Sequence, residues 1–204
     1  GFGAKVFVNH NTKTVVIAYR GTEPPEQRGW GQFFNDVITD ASLSLGFDSN
    51  PQLRTAQQLF NKVKNDPNFK DYQIAVTGHS LGGWLAQKIG VENKVPTVTF
   101  NAPGVLNNLT EKQRQINRAG GYDDLFINYV DPNDAIGTFG KHVGQTHYID
   151  RGRVTKIDEY SSNNDDNLPS LLQKGWNYGM DKHGVETFED ELNPETGNFE
   201  GVLR

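Results

Sequence analysis

The chain has no cysteine. That absence removes disulfides, thiolate metal sites and a cysteine nucleophile together. No apolar stretch reaches the 18 residues that a membrane-spanning helix needs, so no transmembrane segment is expected. No run of lysine or arginine is long enough to track a phosphate backbone, and the formal net charge is −5. Nucleic acid is therefore not an expected partner. Internal repeats and low-complexity tracts are also missing. The 204 residues are read as a single domain, long enough for a sheet covered by helices on both faces. The chain opens Gly1-Phe2-Gly3, with neither an initiator methionine nor a signal peptide, and reads as a processed or excised piece. A secreted bacterial or phage-associated protein is the setting that a cysteine-free chain of this kind suits.

What is present centres on Val76-Thr77-Gly78-His79-Ser80-Leu81-Gly82-Gly83. Gln73 to Val76 has the character of a buried strand, and Leu81, Trp84, Leu85 and Ile89 are spaced as an amphipathic helix spaces them. Between the two lies G-x-S-x-G, which carries chemistry when it sits in a strand–turn–helix. With 22 glycines in the chain the bare pattern would arise by chance in roughly one such sequence in ten, so the weight falls on the flanking context. A tight turn there strains Ser80 and projects its hydroxyl from the carboxyl end of the strand. Side chains at Gly78 or Gly82 would collide with the neighbouring strand and helix. The helix opening at Ser80 aims unpaired N–H groups and its positive dipole end at the place where an acyl oxygen would become an oxyanion. Ser80 is the expected nucleophile.

Residues 4–9 and 14–19 are β-type runs joined by the polar turn His10-Asn11-Thr12-Lys13, a hairpin. Residues 23–35 mix Pro24, Pro25, Gly29 and Gly31 with Trp30, Phe33 and Phe34. Two readings stand: a loop whose aromatics tuck into the core, or a flap whose apolar face covers the site and meets lipid when open. Residues 36–45 alternate loosely as a further strand would. Pro51 to Val63 is a helix, with Leu53, Ala56, Leu59, Phe60 and Val63 as its apolar stripe. Residues 95–100 form the next strand, so that 73–100 is a βαβ unit and the centre of the sheet is parallel. A polar helix opens at Thr110 and runs to about Arg118, and residues 125–130 return as a strand. That strand ends in Asp131-Pro132-Asn133-Asp134, on the edge where Ser80 emerges. His147 to Asp158 reads as an antiparallel edge strand or hairpin, 168–178 and 185–192 as helices, and 193–204 as a linker-like tail.

A serine hydroxyl needs a base within hydrogen-bond reach, and the base needs a carboxylate to hold its tautomer. In this type of fold the chain order is serine, acid, histidine. His142, His147 and His183 remain as bases, and Asp131 and Asp134 as strand-end acids. Asp131 precedes Pro132 and has the position of a turn opener, which favours Asp134. His142 and His147 lie close to the aspartates in sequence and read as loop or edge-strand residues. His183 sits between two helices late in the chain, where a loop can fold back over the serine. His79 is expected to pack beneath the turn. The amide after the nucleophile, that of Leu81, would supply one oxyanion donor. Arg20-Gly21-Thr22 lies where the second is needed; Thr22 offers an N–H and a hydroxyl, and Arg20 would brace the loop.

Tyr19-Arg20-Gly21-Thr22, Gly78-His79-Ser80-Leu81-Gly82-Gly83, Asn101-Ala102-Pro103-Gly104 and the strand-end Asn133-Asp134 together resemble the class 3 lipase family of α/β-hydrolases, particularly its bacterial, phospholipase-like members. The resemblance covers roughly residues 4–190. It implies an α/β-hydrolase-type, mostly parallel sheet with helices on both faces. It also implies hydrolysis of carboxylic esters, often lipids, through an acyl-enzyme, with no metal or cofactor. It maps the nucleophile to Ser80, the acid to Asp134, the base to His183 and the oxyanion donors to Thr22 and Leu81, and it favours the flap reading of 23–35, where the family's lid follows the same motif. One departure is Gly137, where the family often has proline shortly after the acid. Lipid or another ester is the expected partner, with a lipid surface met through the flap. An esterase for small or polymeric soluble esters, or an inactive hydrolase scaffold used for binding, are the alternatives.

Overall fold

The computed structural model describes residues 2–21, 51–131, 134, 136–150 and 153–154. Strands β1 (Gly3–Asn9) and β2 (Thr14–Arg20) pair antiparallel, with Val6 opposite Ile17 and Val8 opposite Val15. Their turn closes because the Asn9 side-chain oxygen accepts the N–H groups of Asn11 and Thr12. Every residue of β2 from Thr14 to Tyr19 is buried, which is why its sequence is a near-continuous apolar run rather than an alternation.

Helix α1 (Pro51–Lys64) buries Leu53, Ala56, Phe60 and Val63, the stripe its sequence spacing predicts. Strand β3 (Gln73–His79) passes directly into helix α2 (Ser80–Asn93), and β4 (Thr97–Phe100) follows. Helix α3 (Glu111–Arg118) is opened by a capping box: Thr110 Oγ1 accepts the Gln113 N–H, and Gln113 Oε1 accepts the Thr110 N–H. Strands β5 (Phe126–Val130), β6 (Gln145–Asp150) and β7 (Arg153–Val154) complete the sheet.

The seven strands lie in sequence order, β1 to β7. Pairs from β2 to β6 are parallel, and the outermost pair at each side is antiparallel. Because each crossover from β2 to β5 steps in the same direction, right-handed connections carry their helices to the same face. On that face Val15, Ile17, Tyr19 and Val76 form one core with Leu53, Phe60, Leu85 and Ile89. The Tyr19 hydroxyl donates to the Ala56 carbonyl at 3.3 Å, tying β2 to α1. On the other face Val16 and Ala75 form a separate cluster with Phe7, and Ala18, Thr77 and Ile127 are buried as well. Helix α2 is buried from Ser80 to Val91, with the sheet on one side and α1 on another. The sheet is the mostly parallel α/β-hydrolase type that the sequence implies, but among the described residues the helices α1, α2 and α3 pack on one face, where helices on both faces were expected.

The last strands differ from expectation. β6 begins at Gln145 and runs parallel to β5, and the hairpin is the short β6–β7 pair. The connection after β5 returns to the amino edge of the sheet before β6 starts, which is what permits parallel pairing. The flap candidate at 23–35, the strand read at 36–45, the helices read at 168–178 and 185–192 and the tail at 193–204 lie outside the described residues.

Candidate active site

Strand β3 is extended through His79, at φ −109° and ψ 144°, and the chain then turns at Ser80, whose φ is +56°. A serine with positive φ is strained, and it persists only where its surroundings over-determine it. The glycines supply that constraint. A Cβ on Gly82 would overlap the Tyr19 carbonyl oxygen and lie 2.8 Å from both Arg20 C and Gly21 N. One on Gly78 would run into the Gly82 carbonyl, and one on Gly83 would come 2.5 Å from the Ala102 Cβ. The turn is therefore wedged between the exit of β2 and the loop after β4. Ser80 is 5% exposed at the N-terminus of α2, where the first amides have no intrahelical partner.

The Leu81 amide nitrogen lies close to the β2 exit: a Cβ on Gly21 would stand 3.5 Å from it and 3.4 Å from Gly82 N. The exit of β2 and the first turn of α2 are thus in contact beside Ser80. Thr22, the other expected donor, lies outside the described residues.

Asp134 follows the carboxyl end of β5, half-buried, and its Oδ1 accepts the Ile136 N–H at 2.8 Å. Burial pushes its carboxyl above the ordinary value and the Asp131 charge adds to this, while hydrogen bonds from the Ile136 and Gly137 amides pull the other way. The turn is anchored from outside as well. Asn101 Oδ1 accepts the Asp131 N–H at 2.7 Å, and His142 Nε2 lies 2.9 Å from the Gly137 carbonyl. Gly137 packs so closely that a Cβ there would stand 3.1 Å from Asn101 Cα and from a Val130 methyl.

Of the candidate bases, His142 is occupied as a brace. Its Nε2–H donates to the Gly137 carbonyl, its Nδ1 is buried with no hydrogen-bond partner among the described residues, and burial lowers its pKa, which favours the neutral ring. His147 lies on β6 in register with Tyr129, which pairs with Phe100, which pairs with His79. Three strand spacings of about 4.8 Å put it roughly 14 Å from His79, out of hydrogen-bond reach of Ser80. There it packs on Tyr129 at 5.7 Å between ring centres. His183 lies outside the described residues. His10, in the hairpin turn, meets the Tyr72 hydroxyl at 2.9 Å. Sequence reasoning did not single out Asn101 or His142 as braces; the Asn101-Ala102-Pro103-Gly104 motif was the available signal for the first.

Residues 1–141 match the family model described as phospholipase-like, the Tle-like phospholipase domain. The chain belongs to this family. The match takes in Thr22, Ser80, Leu81 and Asp134 and ends before His183. It bears out the phospholipase-like resemblance drawn from the motifs. Among relatives of this phospholipase-like domain, the uncharacterised protein RP165 of Rickettsia prowazekii is 31% identical over 175 residues, 73% of this chain and 43% of the relative. The putative lipase ATG15 of Candida glabrata is 33% identical over 140 residues, 52% of this chain and 27% of the relative. The chain thus spans less than half the length of these curated relatives. The Lip2 lipase of Yarrowia lipolytica aligns in structure with a TM-score of 0.43 at 20% identity, over 74% of this chain and 63% of that one.

Proposed function

We propose that this phospholipase-like domain hydrolyses carboxylic esters of acyl lipids, in the manner of a triacylglycerol lipase or phospholipase A1, through an acyl-enzyme on Ser80. The observation that carries the reading is Ser80 at φ +56° on a glycine-walled strand-to-helix turn, with the Leu81 amide and the Gly21 peptide beside it. Ser80 Oγ attacks the ester carbonyl as its proton passes to the base, for which His183 is the candidate. The carbonyl oxygen takes the negative charge and is held by the Leu81 N–H, with Thr22 as the second donor. Collapse expels the alcohol, which takes the proton back from the base. Water then repeats the sequence on the acyl-enzyme, releasing the fatty acid and restoring Ser80. Asp134 holds the imidazole and offsets its transient charge; its hydrogen bonds from Ile136 and Gly137 keep the carboxylate in place. The flap candidate at 23–35 would meet the lipid surface.

The test is hydrolysis of p-nitrophenyl butyrate and palmitate by wild type and Ser80→Ala. A loss of about a thousandfold or more in the variant is expected, since removing a triad member costs at least that. Preference for palmitate favours a lipid substrate over a small soluble ester. Equal activity in the two proteins, or none in the wild type, refutes the proposal.

A further inference from the structure

Asn101 is the first residue after β4, and it sits between the two halves of the site. Its φ is +42°, in the left-handed region that asparagine tolerates better than most side chains. Its own N–H donates to the Tyr129 carbonyl at 2.8 Å, which fixes its backbone to β5. From there Oδ1 accepts the Asp131 N–H at 2.7 Å, at the start of the turn that carries Asp134. Gly137, at the other end of that turn, packs against Asn101 Cα and Oδ1 with no room to spare. The neighbouring residues of the same loop grip the nucleophile helix. Ala102 fills the space above Gly83, and Gln87 Nε2 donates to the Pro103 carbonyl at 3.2 Å. One short loop therefore holds the acid-bearing turn on one side and the helix behind Ser80 on the other.

We infer that Asn101 is a positioning residue for ester hydrolysis: its side-chain oxygen sets the distance between the Asp134 turn and the Ser80 helix. The inference rests on the reading of Ser80 and Asp134 as partners in one reaction. Asn101 makes its hydrogen bonds to the Tyr129 carbonyl and the Asp131 amide, and it acts through the second of these. Among the described residues, the charged and titratable side chains on or beside the turn it braces are Asp131, Asp134, Lys141 and His142.

Two variants separate this role from general damage. Asn101→Gly suits the left-handed backbone and deletes only the acceptor. It should lower kcat for p-nitrophenyl butyrate about 10- to 100-fold with KM within about twofold, as a displacement near 1 Å of a catalytic group does. Asn101→Asp keeps an acceptor for the Asp131 N–H, and a charged acceptor binds a donor more strongly. On the pH-independent plateau its kcat should return to within about threefold of wild type. Its added negative charge favours the protonated base, so the rising limb of its kcat/KM profile should move to higher pH. Wild type and Ser80→Ala are measured alongside. If turnover depends on Ser80 but Asn101→Gly keeps kcat within twofold, the positioning role is overturned and the ester-hydrolase reading stands. Loss in Asn101→Gly without rescue by Asn101→Asp, or a rising limb that does not move, also overturns it. Turnover that does not depend on Ser80 overturns both.

Discussion

Replacing Gly82 with alanine adds a methyl group aimed at backbone. It would overlap the Tyr19 carbonyl oxygen and sit 2.8 Å from Arg20 C and Gly21 N. Carbon pairs rest at about 3.5–4.0 Å, so the exit of β2 and the first turn of α2 must part by roughly 1 Å. No flexible side chain can yield instead, and β2 is buried from Thr14 to Tyr19, so the strain falls on the main chain. Overpacking of this kind costs about 1–3 kcal/mol. For a chain of this size that lowers the melting temperature by roughly 2–12 °C. The same parting moves Gly21 away from the Leu81 amide. A displacement near 1 Å costs about a hundredfold in turnover, and loss of one oxyanion donor about a hundred- to a thousandfold. Thermal denaturation and kcat on p-nitrophenyl butyrate read the two effects on one preparation. A melting temperature within about 1 °C of wild type together with kcat within about twofold would show that the wedge is not tight, and the argument for the turn's geometry would fall with it.

Ser80→Gly and Ser80→Ala both remove the nucleophile, but only glycine relieves the positive φ; Ser80→Gly should be the more stable by about 1 kcal/mol in urea denaturation, and equal stability would mean the turn is unstrained. Because burial raises the Asp134 carboxyl, the folded state holds that proton more tightly than the unfolded chain, so this group's contribution to stability falls as pH rises from about 4 through the raised folded value. Asp134→Asn keeps an acceptor for the Ile136 amide and removes that slope: its stability relative to wild type should be higher at pH 7 than at pH 4 while hydrolysis is lost, and the same difference at both pH values would refute the reasoning. Asn128→Leu should cost about 3 kcal/mol or more by calorimetry, since Asn128 accepts from Thr99 Oγ1 and donates to the Val143 and Gln145 carbonyls, all of which would lose a partner; a loss under about 1 kcal/mol would mean that those groups find other partners.

The elements that the chain announces in advance are those whose side chains answer to one local pattern. β2 and the centres of β3 and β5 are mostly apolar because parallel strands are covered on both faces, and α1 shows its stripe because one side meets the core. The capping box of α3 is written in Thr110 and Gln113, three residues apart. The direction of β6 has no such local record. It depends on where the connection after Val130 delivers the chain, and that path is held by long-range contacts: the Gly104 and Leu106 amides donate to the Phe139 and Lys141 carbonyls, and Asn117 Oδ1 accepts the Gly144 N–H.

The site divides in the same way. Gly78, Ser80 and Gly82 are legible because a strained turn needs glycines at fixed offsets from its serine, and those offsets are local. Asn101 and His142 act on main-chain groups of another segment, and a side chain that accepts an amide thirty residues away leaves no period in the sequence. Gly137 joins the two cases. Proline is frequent near this point in the class 3 lipases that the motifs resemble, and a ring there would stiffen the turn by fixing φ. Here the turn is stiffened by hydrogen bonds instead: Asn101 Oδ1 holds its first amide, Asp134 Oδ1 takes the Ile136 amide and His142 holds the Gly137 carbonyl. For that arrangement residue 137 must lie flat against Asn101, where a side chain would be crowded on two sides. The glycine that looked like a departure from the pattern is what the bracing requires, and the two features should be exchanged together rather than singly.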